Sequence, residues 1–138
     1  MSQPAPATPD GERPDVEIRL PADGAYVSVL RTLTAGLAAR LDFTIDDIED
    51  LRIAVGEACA MVLPEADGLS DLTGRFVMRP GTLTVSVGVT APDPSPPAHA
   101  SFAWQVLTTL ASDATVGSVG DQLVVTLVMR ATDVAPSA

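Results

Sequence analysis

Residues 25–59 read AYVSVLRTLTAGLAARLDFTIDDIEDLRIAVGEAC. Tyr26, Leu30, Leu33, Leu37 and Leu41 recur every three or four positions, which predicts an amphipathic helix of about four turns. Thr44 then stands where an N-cap belongs, with Asp47 at the capping-box position and Asp46, Glu49 and Asp50 around the first turn. Carboxylates there suit the positive end of a helix dipole, so a helix start explains them without a metal ion. The core face of this second helix is Ile48, Leu51, Val55, Ala58 and Val62, and Pro64 lies beyond its end.

Outward from these helices the period changes from helical to two. Val16, Ile18 and Leu20 alternate with Glu17 and Arg19, a short half-buried strand. Leu72, Phe76 and Met78 point one way in a second strand that ends at the turn Arg79-Pro80-Gly81. Leu83, Val85, Val87 and Val89 alternate with Thr82, Thr84, Ser86, Gly88 and Thr90, so these two strands form a hairpin. Phe102, Val106, Leu107 and Leu110 mark a third helix. Leu123, Val125, Leu127 and Met129 form a last strand, preceded by residues 117–120 (GSVG) as a turn. Alternating strands bury one face, and three helices must cover it. The expected fold is α+β: a two-layer sandwich with a mainly antiparallel sheet covered on one face by three helices.

The 138 residues fit one domain, taken as 15–130. Residues 1–14 and 131–138 lack periodicity and read as disordered tails. Residues 91–98 (APDPSPPA) carry four prolines and form an irregular loop within the domain. Eighteen acidic against eight basic side chains give a net charge of −10, a surface that repels nucleic acid and anionic lipid. All the cations are Arg, so there is no Lys for a Schiff base or a P-loop. A single Cys and a single His exclude a disulfide framework or a Cys/His zinc site. No basic start is followed by an apolar run, and no apolar stretch has spanning length. The chain reads as soluble and cytoplasmic.

Among single residues, Glu57 lies on a stripe with Ile53 and Met61, four positions either side. It reads either as a general base raised by apolar neighbours or as a helix-edge acid that reaches water. Cys59 reads as an inert core thiol, His99 as a solvent-exposed residue with no metal partners, and Trp104 as core or interface filler.

The run 25–59 resembles the bacterial switch-type anti-sigma factors with a serine-kinase domain, the RsbW-like branch of the GHKL (Bergerat-fold) ATPases. The order of elements is similar over residues 15–130. In that family an E-x-x-x-N box on the second helix supplies a Glu that helps activate the attacking group and an Asn that holds Mg²⁺. The corresponding residues here are Glu57-Ala58-Cys59-Ala60-Met61: the Glu is kept and Met61 takes the Asn position. A thioether is a soft, weak acceptor, whereas Mg²⁺ demands hard oxygen ligands. A D-x-G-x-G box, whose Asp reads adenine, corresponds to Asp93-Pro94-Ser95-Pro96-Pro97, without either glycine. The phosphate-approaching G-G-x-G turn corresponds to Ala100-Ser101-Phe102-Ala103, where side chains obstruct close backbone approach. The lid before Ser101 is short, and no Lys is present to neutralise phosphate.

The resemblance therefore implies a degenerate pocket of Glu57, Met61, Asp93 and Ser101, with no metal, no ATP cofactor and no catalytic residue beyond the remnant Glu57. It implies an anti-sigma factor that sequesters a sigma factor by protein–protein binding and is released by an anti-anti-sigma partner without kinase activity. Acidity agrees, since a sigma factor must present basic DNA-binding surfaces. The expected contact face is the outward side of the first helix: Ser28, Arg31, Thr32 and Ala35. Family members pair through the surface near the first strand, so a homodimer is compatible. Two alternatives stay open. One is an active ATP-dependent serine-protein kinase with Glu57 as base; the other is a sensor whose remodelled pocket, rimmed by Trp104, takes a different small ligand.

Overall fold

Nine-residue alternating stretches such as Thr82–Thr90 can bury one face only by pairing, and they do so in a five-stranded antiparallel sheet. The computed structural model describes residues 13–94 and 101–132. The elements run β1 (Val16–Pro21), α1 (Val27–Arg40), α2 (Ile45–Val62), β2 (Asp71–Arg79), β3 (Thr82–Thr90), α3 (Phe102–Leu110), β4 (Asp113–Val119) and β5 (Gln122–Arg130). The strand order is β1-β2-β3-β5-β4, so β1 and β4 are the two edges. The expected α+β sandwich is the fold observed: helices cover one sheet face, with α2 over β3 and β5, α1 on one flank of α2 and α3 on the other.

The core lies between the layers. Leu30 and Leu51, with Leu72, Phe76, Leu83, Val85, Val87, Leu123, Val125 and Leu127, are almost wholly excluded from solvent. α1 approaches the sheet at Gly74, where the missing side chain makes room for Leu30. Thr44 caps α2 as expected, its Oγ1 accepting from the Asp47 amide at 3.1 Å.

Three sequence expectations change. Residues 113–119 form β4, and the turn is confined to Gly120 and Asp121, with Gly120 at φ +63°. β4 has only Ala114 and Val116 as inward apolar residues, so its own period is faint and pairing with β5 defines it. Tyr26 is 39% exposed and belongs to a 3₁₀ turn; the buried stripe of α1 is Leu30, Thr34 and Ala38, with Leu33, Leu37 and Leu41 half-buried. Thr34 is tolerated there because its hydroxyl donates to the Leu30 carbonyl at 2.8 Å.

The folded chain also extends past residue 130. Ala131 donates its amide to the Gly81 carbonyl, and Thr132 binds Asp47 through both amide and hydroxyl, at 2.8 and 2.6 Å. A polar pair distant in sequence thus holds the two residues with which the expected tail began. The remaining tail residues, 1–12 and 133–138, lie outside the described residues, as do residues 95–100. Among the described residues no helix is long and apolar enough to cross a membrane.

Candidate functional site

The second helix carries Glu57 and Met61, the two box residues that the sequence resemblance singles out. Leu51, Ala54, Val55, Ala58 and Val62 face the sheet, which leaves Glu57 at the margin of that face. Glu57 is half-buried, between Ile53 at 47% exposure and Met61 at 7%. Met61 belongs to the apolar cluster that includes Ala58, Val62 and Leu107. The position that would have to offer Mg²⁺ a hard oxygen is a thioether inside the hydrophobic core. That donor set does not fit a magnesium-bound nucleotide.

The other members of the degenerate pocket have structural roles or face water. Ser101 is the N-cap of α3, its Oγ accepting from the Trp104 amide at 3.2 Å. Asp93 is exposed just beyond β3. Because α3 lies against α2, Ser101 begins the helix that flanks the Glu57–Met61 helix. Trp104 is half-buried against the core cluster. His99, Ala100 and the prolines at 96 and 97 lie outside the described residues.

Cys59 is fully buried on α2. Burial pushes its thiol up to about 12, against a smaller opposing pull from the Arg31 charge. A thiol held there is protonated at neutral pH and inert. Asp47, in contrast, is a buried carboxylate with good partners. Burial raises its pKa, but the Thr132 hydroxyl, the Thr132 amide and the Thr44 hydroxyl together hold it below the ordinary aspartate range. The neighbouring Asp46 and Glu49 are exposed, as solvated residues of a helix first turn.

The four residues expected to form a partner face do not share one environment. Ser28 and Thr32 are exposed, whereas Arg31 and Ala35 are half-buried on the flank of α1 that meets α2. Arg31 lies across Gly56, whose added Cβ would sit 3.5 Å from its Nη1 and 3.6 Å from its Cδ. Its Nε is buried without a hydrogen-bond partner. The expectation of a solvent-facing Arg31 therefore needs correction: a bare glycine on α2 lets the guanidinium fold inward. The opposite flank of α1 carries a groove of about 440 Å³ lined by Ile18, Ser28, Val29, Thr32 and Leu33. Exposed Val29 was the available sequence signal, being an apolar residue off the helical core stripe.

One further buried ion was not apparent from sequence. Arg75 on β2 is 5% exposed, and its Nε stands 3.7 Å from Glu17, which also meets Arg19 at 3.3 Å. Register explains it: Glu17 is directly opposite Arg75 in the β1–β2 pair.

No family model matches the chain. Among curated proteins, the Serine-protein kinase RsbW of Bacillus velezensis is 45% identical over 75 residues, covering 52% of this chain and 47% of that protein. The Bacillus cereus protein of the same name is 43% identical over 74 residues, covering 52% and 46%. A crystal structure of the RsbU and RsbW domains of a Mycobacterium tuberculosis protein superposes with a TM-score of 0.68. The chain is similar to RsbW proteins over about half its length. The structural match covers 87% of this chain and 33% of the other at 16% identity, a likeness of fold. The chain spans about half the length of the curated relatives it matches. In this fold Glu57 is half-buried on α2 and Met61 lies in the core.

Proposed function

We propose that this RsbW-like domain is an anti-sigma factor that works in the cytoplasm by occupying a sigma factor, is freed by an anti-anti-sigma partner, and transfers no phosphoryl group. The observation that carries this reading is Met61: an RsbW-like helix retains Glu57 while the position four residues on is buried among apolar side chains. A binding role needs only the scaffold and a surface. Catalysis would need an oxygen donor and close backbone approach to phosphate, and the Ser101–Phe102 segment opens a capped helix with side chains at that point.

The surface of α1 supports the binding half. Ser28 and Thr32 offer hydroxyls beside an apolar groove lined by Ile18, Val29 and Leu33. The net charge of −10 steers the chain toward a basic partner and masks it once bound. Release then follows from competition for that surface, with no modification made by this chain.

The test is capture of the tagged full chain from extract of its own cells, followed by addition of a candidate antagonist. A sigma factor should accompany the chain, leave when the antagonist is added, and do so without ATP. Release that requires hydrolysable ATP would favour the kinase reading, with Glu57 as base.

A further inference from the structure

Glu57 has no task in a purely protein-binding role exercised through α1, and its surroundings on α2 show what it can do. α2 is flanked by α1 and α3 and backed by the sheet, which leaves its outward ridge uncovered. Residues at four-residue spacing along that ridge are Ile45, Glu49, Ile53 and Glu57. Ile45 is 80% exposed and Ile53 47%, while Glu49 is exposed and Glu57 half-buried. Apolar and acidic side chains therefore alternate along one row of the helix.

The reasons that account for the neighbouring acids do not account for Glu57. Asp46 stands in the first turn, where the helix dipole favours it, and Asp47 is bonded to Thr132. Glu57 lies about three turns further on, beyond the reach of that dipole. Its carboxylate makes no hydrogen bond or ion pair with the described residues. Arg52 is the one cation of α2, and it is already bonded to Glu49 at 3.0 Å. A half-buried carboxylate without a partner carries a desolvation cost, which a cation brought from outside would remove.

We propose that this ridge docks a helix of a partner protein on which apolar residues and arginine or lysine alternate at the same four-residue spacing. Helices pack by setting such rows of one into the grooves of the other, so apolar residues of the partner lie against Ile45 and Ile53. Its cations then pair with Glu57 and, toward the start of α2, with exposed Asp46. Charge selects the occupant: an acidic helix would meet Glu49 and Glu57 with like charge, and the net charge of −10 draws a basic one in. The groove of α1 lies on the flank away from α2, so this site stands independently of what that groove binds.

The probe is a displayed library of helical peptides with randomised outward positions, selected against the full chain. Enriched peptides should carry apolar and cationic residues four positions apart, and their affinity should fall as salt is raised. Glu57→Gln, which keeps the shape and removes the charge, should weaken the best of them by about threefold or more. Glu57→Lys and Ile53→Ser should each weaken it by at least about tenfold. Val119→Ser, at an exposed apolar residue on the far edge strand, should change nothing. All three positions are at least partly exposed, so the variants suit the fold, which circular dichroism would verify. A library that yields no binder, or binders without the cationic pattern, would overturn the proposal. So would binders indifferent to Glu57→Lys and Ile53→Ser, or self-association of the chain that Ile53→Ser abolishes, which would make a second copy the occupant.

Discussion

Gly74 is the point at which α1 meets the sheet, and adding one methyl there should measure how tightly the two layers fit. An alanine Cβ at this position would lie 2.6 Å from Leu30 Cδ1 and 3.3 Å from Ile18 Cγ2. Carbon atoms in good contact sit about 3.5–4.0 Å apart, so the fully buried Leu30 must move by about an ångström or α1 must lift. Overpacking of this kind costs about 1–3 kcal/mol. At about 3–4 °C per kcal/mol for a domain of this size, Gly74→Ala should lower Tm by roughly 6–8 °C for a cost near 2 kcal/mol. Urea and thermal unfolding followed by circular dichroism would read it. Gly117→Ala is the control: nothing lies within 4 Å of the added Cβ, and stability should stay within about 0.5 kcal/mol of the parent. Combining Gly74→Ala with Leu30→Val removes the crowding methyl, so the pair should cost less than the sum of its parts. A Gly74→Ala protein as stable as the parent, or strict additivity with Leu30→Val, would refute the close docking of α1.

Asp47→Asn should cost about 1–2 kcal/mol at neutral pH by weakening the charge-assisted bonds from Thr132. Because the folded carboxyl titrates below its ordinary value of 3.8, that advantage is complete above the unfolded range and should fade as pH falls below about 4, measured as the gap between parent and variant in urea. Cys59, with its thiol pushed up to about 12, should resist a disulfide reagent at pH about 8 until urea unfolds the chain; fast labelling of native protein would contradict its burial. Met61→Asn places the E-x-x-x-N residue type at the position that the sequence resemblance assigns to the metal ligand. It should destabilise by about 2–4 kcal/mol, because an amide enters the core, and calorimetry should still detect no Mg·ATP binding.

The elements whose period lies within their own residues were legible in the sequence. Leu83, Val85, Val87 and Val89 announce a strand by alternation alone, and Thr44 announces a helix start by local capping chemistry. β4 was hidden because an edge strand with two inward apolar residues depends on its neighbour for definition. The same limit applies at the site. The spacing of Glu57 and Met61 can be read within one helix, whereas the inward turn of Arg31 depends on a glycine 25 positions away on another helix. The Asp47–Thr132 contact spans 85 positions, and neither residue alone signals the other. Helical periodicity put Arg31 on the outer face because it reports one helix; its actual environment is set by the packing of two.

Whether this RsbW-like chain binds a protein in place of handling nucleotide is most directly tested by titrating one purified preparation with Mg·ATP and, separately, with a candidate sigma factor from its own cells. The sigma factor is expected to give saturable heat and a complex that forms equally with or without nucleotide, while Mg·ATP gives none. Saturable binding of Mg·ATP, accompanied by transfer of its terminal phosphate to an antagonist, would contradict the reading of Met61 and of the function built on it.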